Sequence, residues 1–337
     1  MASPGDRVLT AFVVLVFIWI LAPFIRTSHN VQSLIGADNN TVGLFNTTDA
    51  ITAGNDVLVM YAYHETDNAL TNANFFLQHG LHAAADFVFI INGASLLERQ
   101  IPVHLPNVKV ALRTNNCFDL GAHGAVLLEE DRALIKRYKK FILLNASIRG
   151  PFTPRWADTC WSDVYQDLVT DTVKLAAMTF NCPGHHLNSM IYATDQIGAT
   201  TLVDGCMGTC FENMESAVSC EQQATPTILN AGYEIDSLMA AYLGEFDGSN
   251  EAYREHCRGG DVNTQNGYHG FNVHPYDTLF VKANRNIDPT MLQKFTQWHN
   301  TMNRTSWDTC HKKLPSIVNN SQAHQEVSSW RARLLGS

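Results

Sequence analysis

This chain has little positive charge and none of the short motifs that assign function at a glance. Lys and Arg number 23 against 32 Asp and Glu, a net charge of -9, and no cationic cluster offsets that balance. A nucleic-acid surface is normally basic, so nucleic acid is not an expected partner. The 8 cysteines include no C-x-x-C unit, which excludes a zinc site of the usual paired spacing. The G-x-G-x-x-G dinucleotide fingerprint is absent, as is the G-x-S-x-G elbow of a serine hydrolase. What is present is globular: 45% hydrophobic and 16% charged residues, with no internal repeat. A chain of 337 residues holds one large or two modest domains with a full core.

Residues 8–25 are uncharged and apolar, flanked by Arg7 and Arg26. As a helix such a stretch spans about 27 Å, enough for the thinner membranes of the early secretory pathway. A cleaved signal peptide is the rival reading, but no clear small-x-small cleavage site follows, which favours an uncleaved type II anchor. The expected organisation is a cytoplasmic tail over 1–7, a transmembrane anchor over 8–25, a polar stem over 26–54, a folded domain over 55–285 and a C-terminal extension over 286–337. Sequons at Asn39, Asn46, Asn145, Asn303 and Asn319, with an even number of cysteines, fit an oxidising lumen. Cys206 and Cys210 are candidates to close a small loop and Cys160 and Cys182 flank a helical segment, although spacing does not fix pairing.

Apolar runs at 57–63, 87–91, 108–112 and 141–144 read as buried strands. They alternate with helical patterns at 68–82 and 125–136, with a loop over 116–124. This alternation predicts an α/β fold of Rossmann type with a mostly parallel sheet. Further on, the pattern predicts helices over 163–175, 186–196 and 212–232, a strand over 176–181 and a mobile loop around 258–270.

In open α/β sheets, ligands bind at the carboxyl ends of the strands. Asn145, Ser147 and Arg149 follow the fourth run with amide, hydroxyl and guanidinium groups suited to a phosphate or sugar; a capped turn uses the same residues. Asn115, Asp119 and Gly121 follow the third, and read either as contacts to a base or ribose or as a self-bonded Asx turn. Cys117 is a nucleophile by chemistry and a disulfide partner by compartment. His185, His186, Ser189 and Asp195 have the side chains of a hydrolase triad without its elbow; His186, Ser189 and Asp195 read better as acceptor contacts or as packed structural polar groups. Glu221, on an expected helix, is either a general base or a solvated charge. His274, before Pro275, is either a diphosphate or metal contact or a structural histidine.

The blocks N-C-F-D-L-G, F-I-L-L-N-A-S-I-R-G-P-F, H-H-L-N-S-M-I-Y-A-T-D and H-P-Y-D-T-L-F-V-K resemble the glycosyltransferase-like proteins of fungi, algae, plants and large algal viruses, more distantly similar to bacterial rhamnan-synthesis glycosyltransferases. The resemblance implies a GT-A-like, nucleotide-sugar-binding fold that transfers a sugar from an activated donor to a glycan or glycoprotein acceptor. It places Asn145-Ala146-Ser147 where many GT-A enzymes carry a metal-binding Asp-x-Asp, and Glu221 near the acceptor-side acidic residue. Asn145 and Ser147 are neutral, whereas Mn²⁺ or Mg²⁺ seeks carboxylate oxygens. The expectation divides three ways: a metal held by Asp119 or His274, a metal-independent reaction using Arg149, backbone amides and His274, or lost activity. The whole is expected to be a single-pass type II protein of the Golgi or endoplasmic reticulum membrane with a lumenal catalytic domain. A glycan on Asn145 would block the donor crevice, so Asn145 is expected unmodified and Asn39 or Asn46 glycosylated. The alternatives are an inactive carbohydrate-binding or scaffold protein retaining the fold, and a hydrolase using Ser189.

Overall fold

Strand β1 (Val57–Tyr63) is buried along its whole length. Leu58 and Met60 enter one apolar layer while Val57, Val59, Tyr61 and Tyr63 enter the other. A strand apolar on both faces must be covered on both, which requires helices above and below the sheet. The computed structural model describes residues 54–243 and 260–310. The expected tail, the anchor and all but the last residue of the stem lie outside these, as do residues 311–337. Among the described residues no helix is long and apolar enough to cross a membrane.

After β1 come helix α1 (Asp67–His79), β2 (Asp86–Asn92), β3 (Val108–Arg113), helix α2 (Phe118–Arg137) and β4 (Lys140–Asn145). There follow β5 (Ile148–Arg149), helix α3 (Trp161–Gln166), β6 (Val173–Ala177), β7 (Phe180–Asn181), β8 (His186–Leu187) and β9 (Ile191–Asp195). Helices α4 (Gln196–Leu202) and α5 (Met214–Asn230), β10 (Glu234–Ser237), β11 (Val281–Lys282) and helix α6 (Pro289–Thr301) complete the main elements. The main sheet has 7 strands in the order β10-β6-β9-β4-β1-β2-β3. Only β9 runs against its neighbours; the other pairings are parallel. Helices α2, α4 and α5 pack on the face of Leu58 and Met60. Phe76 of α1 and Trp161 and Tyr165 of α3 cover the opposite face. Each such side chain, fully buried, stabilises the fold by roughly 1.5–3 kcal/mol.

The first half follows the expected strands within a residue or two, because apolar runs bounded by turn residues alternate there with clear helical patterns. The second half differs. The helix expected over 163–175 ends at Gln166, and β6 takes Val173–Ala177. Lys174 interrupts that run yet is buried, since its ammonium bonds Asp195 Oδ2 at 2.6 Å and the Thr170 carbonyl at 2.9 Å. The strand expected over 176–181 ends at Ala177, and β7 pairs instead with β8 in a small hairpin. The helix expected over 186–196 is β8 and the central strand β9, whose short doubly buried run carries no period to identify it. The loop expected over 116–124 is already helical from Phe118. There Gly124 allows a close approach, since a Cβ would stand 1.7 Å from the Met207 carbonyl oxygen.

The cysteine pairs also differ from the spacing. Cys206 bonds Cys220, Cys210 bonds Cys117, and Cys160 bonds Cys310; Cys182 is disulfide-bonded as well. Cys117 is therefore half of a disulfide and has no thiolate to act as a nucleophile. Residues 286–310, expected as the start of an extension, pack onto the domain. Ser306 Oγ donates to the His79 carbonyl at 2.5 Å, and Arg304 reaches the carbonyls of Arg155 and Ala157 at 2.6 and 2.7 Å.

Candidate active site

The chain leaves β1 towards β2 and β3, then returns to place β4 on the other side of β1. Such a reversal of strand order opens a crevice at the carboxyl ends of the strands. A cleft of about 810 Å³ lies there. His64, Asn92, Asn115 and Asp119 come to it from the ends of β1, β2 and β3, and Asn145 and Ser147 from β4. The opposite wall carries His186, Asn188, Ser189 and Glu221, with Asp261, Lys282 and Arg285 completing the rim.

At the end of β4 the polar groups form one connected chain. The Asn145 side-chain amide donates to Asp119 Oδ2. Asn145 Oδ1 accepts from the Ser147 backbone N–H at 3.0 Å and from Ser147 Oγ at 2.5 Å. Lys282 Nζ donates to Ser147 Oγ at 3.0 Å. Lys282 arrives from far along the sequence because β11 pairs antiparallel with β5, placing Lys282 opposite Ile148. Burial pushes its ammonium below the usual lysine range, the neighbouring Arg285 adds to this, and the Asp119, Glu221 and Asp261 carboxylates oppose it.

Across the cleft, Glu221 stands on α5, whose first turn is fixed by the Asn213–Ser216 capping box. Glu221 Oε1 accepts the Ser189 backbone N–H at 2.9 Å, with the Asn188 amide at 3.4 Å. Among the described residues Oε2 has no hydrogen-bond partner. Asn188 is itself held, its Oδ1 accepting from Thr179 Oγ1 at 2.9 Å and Asn263 Nδ2 at 3.0 Å. His186 is buried beside Glu221; burial pushes its imidazole below the usual histidine range and the Glu221 carboxylate partly restores it. Asn181, its partner across the hairpin, is also buried with Oδ1 unpaired. A buried unpaired acceptor in a cleft wall is a place for a ligand hydroxyl or amine.

The structure thus brings together Asn115, Asp119, Asn145, Ser147, His186, Ser189 and Glu221. It places the other expected site residues elsewhere. Arg149 is buried below the cleft, with Nε on Asn72 Oδ1 at 2.8 Å and Nη1 on Thr296 Oγ1 at 3.1 Å. The turn at Ala146–Ser147 redirects the chain, and Arg149 lines an adjoining cavity of about 230 Å³ that shares Asn263 and Lys282 with the cleft. Gly121 packs within α2 against the Thr209 carbonyl. Asp195 caps α4 and pairs with Lys174 at the opposite end of the sheet, because β9 is antiparallel. His274 accepts the Tyr276 backbone N–H at 3.1 Å and packs its ring on Phe295. With Asp195 remote from Ser189, the hydrolase triad does not assemble.

Lys282, Arg285, His64 and Asn188 belong to the cleft and were not singled out by sequence reasoning. Lys282 closes the block H-P-Y-D-T-L-F-V-K, a visible signal, but its place at the end of β4 depends on the β5–β11 pairing.

The residues at the end of β4 suit a divalent cation poorly. They offer one carboxylate, that of Asp119, already taken by the Asn145 amide, and an ammonium on Ser147. Hard cations bind several oxygens, most of them anionic. Among the described residues the one close group of three potential ligands is His82, Cys160 and Cys310, and its two sulfurs form a disulfide.

No protein-family model and no curated protein matches the chain. Among solved structures, the chain is similar to the mannosyltransferase PcManGT from Pyrobaculum calidifontis in complex with GDP-Man and Mn2+, with a TM-score of 0.38 and 10% identity over 67% of this chain. The chain spans 64% of that structure's length. The fold and site define a mixed α/β protein with a mostly parallel sheet and a polar cleft at its carboxyl edge.

Proposed function

We propose that this protein is a nucleotide-sugar-dependent glycosyltransferase of GT-A-like fold acting on a glycan or glycoprotein acceptor. The observation that carries the reading is the joint placement of the β4-end segment Asn145-Ala146-Ser147 and of Glu221 on one cleft at the strand-order reversal. The sequence resemblance gives those two positions to the donor and the acceptor respectively, and in the fold they line a single cleft. On this reading Asn115, Asp119 and Asn145 bind the donor, and Asn181 and His186 meet sugar hydroxyls. In an inverting transfer Glu221 Oε2 takes the acceptor hydroxyl proton. The acceptor oxygen bonds to the anomeric carbon, the bond from that carbon to the diphosphate breaks, and the nucleoside diphosphate leaves with the electron pair. The apolar segment 8–25 would hold this domain in the lumen of the Golgi or endoplasmic reticulum as a type II protein.

The neutral Asn145-Ala146-Ser147 favours one second reading, a sugar-binding protein that retains the fold without turnover. A thermal-shift screen against nucleotides and nucleotide sugars, followed by product analysis by mass spectrometry, separates the two. A ligand at 100 times its dissociation constant adds about 2.7 kcal/mol. A selective shift with product formation supports the transferase, sugar binding without nucleotide binding or product supports the second reading, and silence across the panel refutes the transferase.

A further inference from the structure

We infer that Lys282, with Arg285 beside it, holds the diphosphate of the donor directly at the end of β4, in the place of a divalent cation. The inference rests on the transferase reading above and goes beyond it by naming the groups that stabilise the leaving diphosphate and by removing the metal from the reaction.

The hydrogen-bond chain at the end of β4 has a direction. Lys282 donates to Ser147 Oγ, Ser147 donates to Asn145 Oδ1, and Asn145 donates to the Asp119 carboxylate. Every donor points away from the ammonium and towards the anion, so Ser147, Asn145 and Asp119 are paired with one another and the spare donors lie on the ammonium. An ammonium has three N–H donors, and among the described residues only Ser147 takes one by a direct hydrogen bond. Lys282 forms no ion pair among the described residues, although it is half-buried in the cleft wall. A cation held in this way against a polar wall is a preformed anion site. Arg285, three residues on, lines the same cleft with Nη1 turned to Asp261 and to the Asn263 carbonyl.

A divalent cation set between Asn145, Ser147 and Asp119 would have to share Ser147 Oγ with an ammonium 3.0 Å away. Two cations sharing one oxygen ligand repel each other strongly in a half-buried site. The ammonium instead supplies the positive charge itself. As the bond from the anomeric carbon to the diphosphate oxygen breaks, that oxygen gains the electron pair, and the Lys282 N–H groups are placed to hydrogen-bond the developing charge. The proton lost by the acceptor hydroxyl goes to Glu221, so no proton is needed from Lys282.

Isothermal titration of the full chain with UDP, GDP and inorganic pyrophosphate, in EDTA and again with Mn²⁺, tests this. The expected result is that a nucleoside diphosphate binds in EDTA and that Mn²⁺ changes its affinity by less than about twofold. Lys282→Met should weaken that binding about 10- to 100-fold, the loss of a charged hydrogen bond. Lys282→Gln, which keeps a donor for Ser147, should weaken it similarly and serves if the Met variant folds poorly. Binding that requires Mn²⁺, or is unchanged in both variants, overturns this inference and leaves the transferase reading standing. Absence of nucleoside diphosphate binding under either condition overturns both.

Discussion

Asn145, the last residue of β4, donates its side-chain amide to the carboxylate of Asp119 in the first turn of α2. This bond ties the carboxyl end of the central strand to the helix that begins just after β3. Asp119→Ala leaves the Asn145 amide without its acceptor and should destabilise the fold by about 1–3 kcal/mol. It should also abolish any nucleotide-induced thermal shift, measured on the same samples.

Asn145→Asp sets two carboxylates against each other where an amide now bridges. Like charges raise the pKa of one of the pair, so this variant should be less stable than the parent at pH 7 and recover on acidification. It should also gain a thermal shift with Mn²⁺ that the parent lacks, since two carboxylates form a hard-cation site. Melting curves at several pH values with and without Mn²⁺ check both statements.

Glu221→Gln keeps an oxygen for the Ser189 backbone N–H but removes the base. Turnover should fall about 10²–10⁴-fold while nucleotide affinity and melting temperature stay near those of the parent. A loss of nucleotide affinity equal to the loss of turnover would place Glu221 in donor binding instead.

His123 is buried beneath the site, and burial pushes its pKa down to about 4. The unfolded chain, with histidine near its ordinary value, then binds more protons than the folded one between about pH 4 and 6.5. Stability should therefore fall as pH drops through this window, by on the order of 1–2 kcal/mol between pH 7 and 5. Burial acts on His186 and His299 in the same direction. Denaturant unfolding as a function of pH should show a shallower slope in His123→Asn than in the parent.

Asn145 lies in a sequon, yet its amide is bonded within the cleft, whereas Asn303 is exposed. Peptide mapping of protein made in a secretory host should find Asn145 unmodified and Asn303 available to the glycosylation machinery. Full occupancy at Asn145 would remove the cleft from consideration as a donor site.

Much of the β4-β1-β2-β3 half of the sheet was legible. The runs that became β1 to β4 are mostly apolar, bounded by turn residues and interleaved with helical patterns, so punctuation and alternation agree. The polar residues just beyond β3 and β4 could be read as a ligand edge because topology places strand ends at crevices. The β10-β6-β9 half was not legible for a local reason. β9 is five residues long and buried on both faces, while β6 carries Lys174 inside it. A lysine in a doubly buried strand makes sense only once Asp195 and the Thr170 carbonyl stand beside it.

The sequence by itself determined the α/β class, the carboxyl edge of β4 as the place to look, and Asp119, Asn145 and Ser147 as residues to watch, because these follow from short-range pattern, while the family resemblance added Glu221. The tertiary structure decided which groups share the cleft. It turned Arg149 away to Asn72 and Thr296, set Asp195 at the opposite end of the sheet, and brought Lys282 to Ser147 through the β5–β11 pairing. It also joined Cys117 to Cys210 across 93 residues. Contacts between residues so far apart depend on strand order and chain direction, and no local pattern of side chains encodes either.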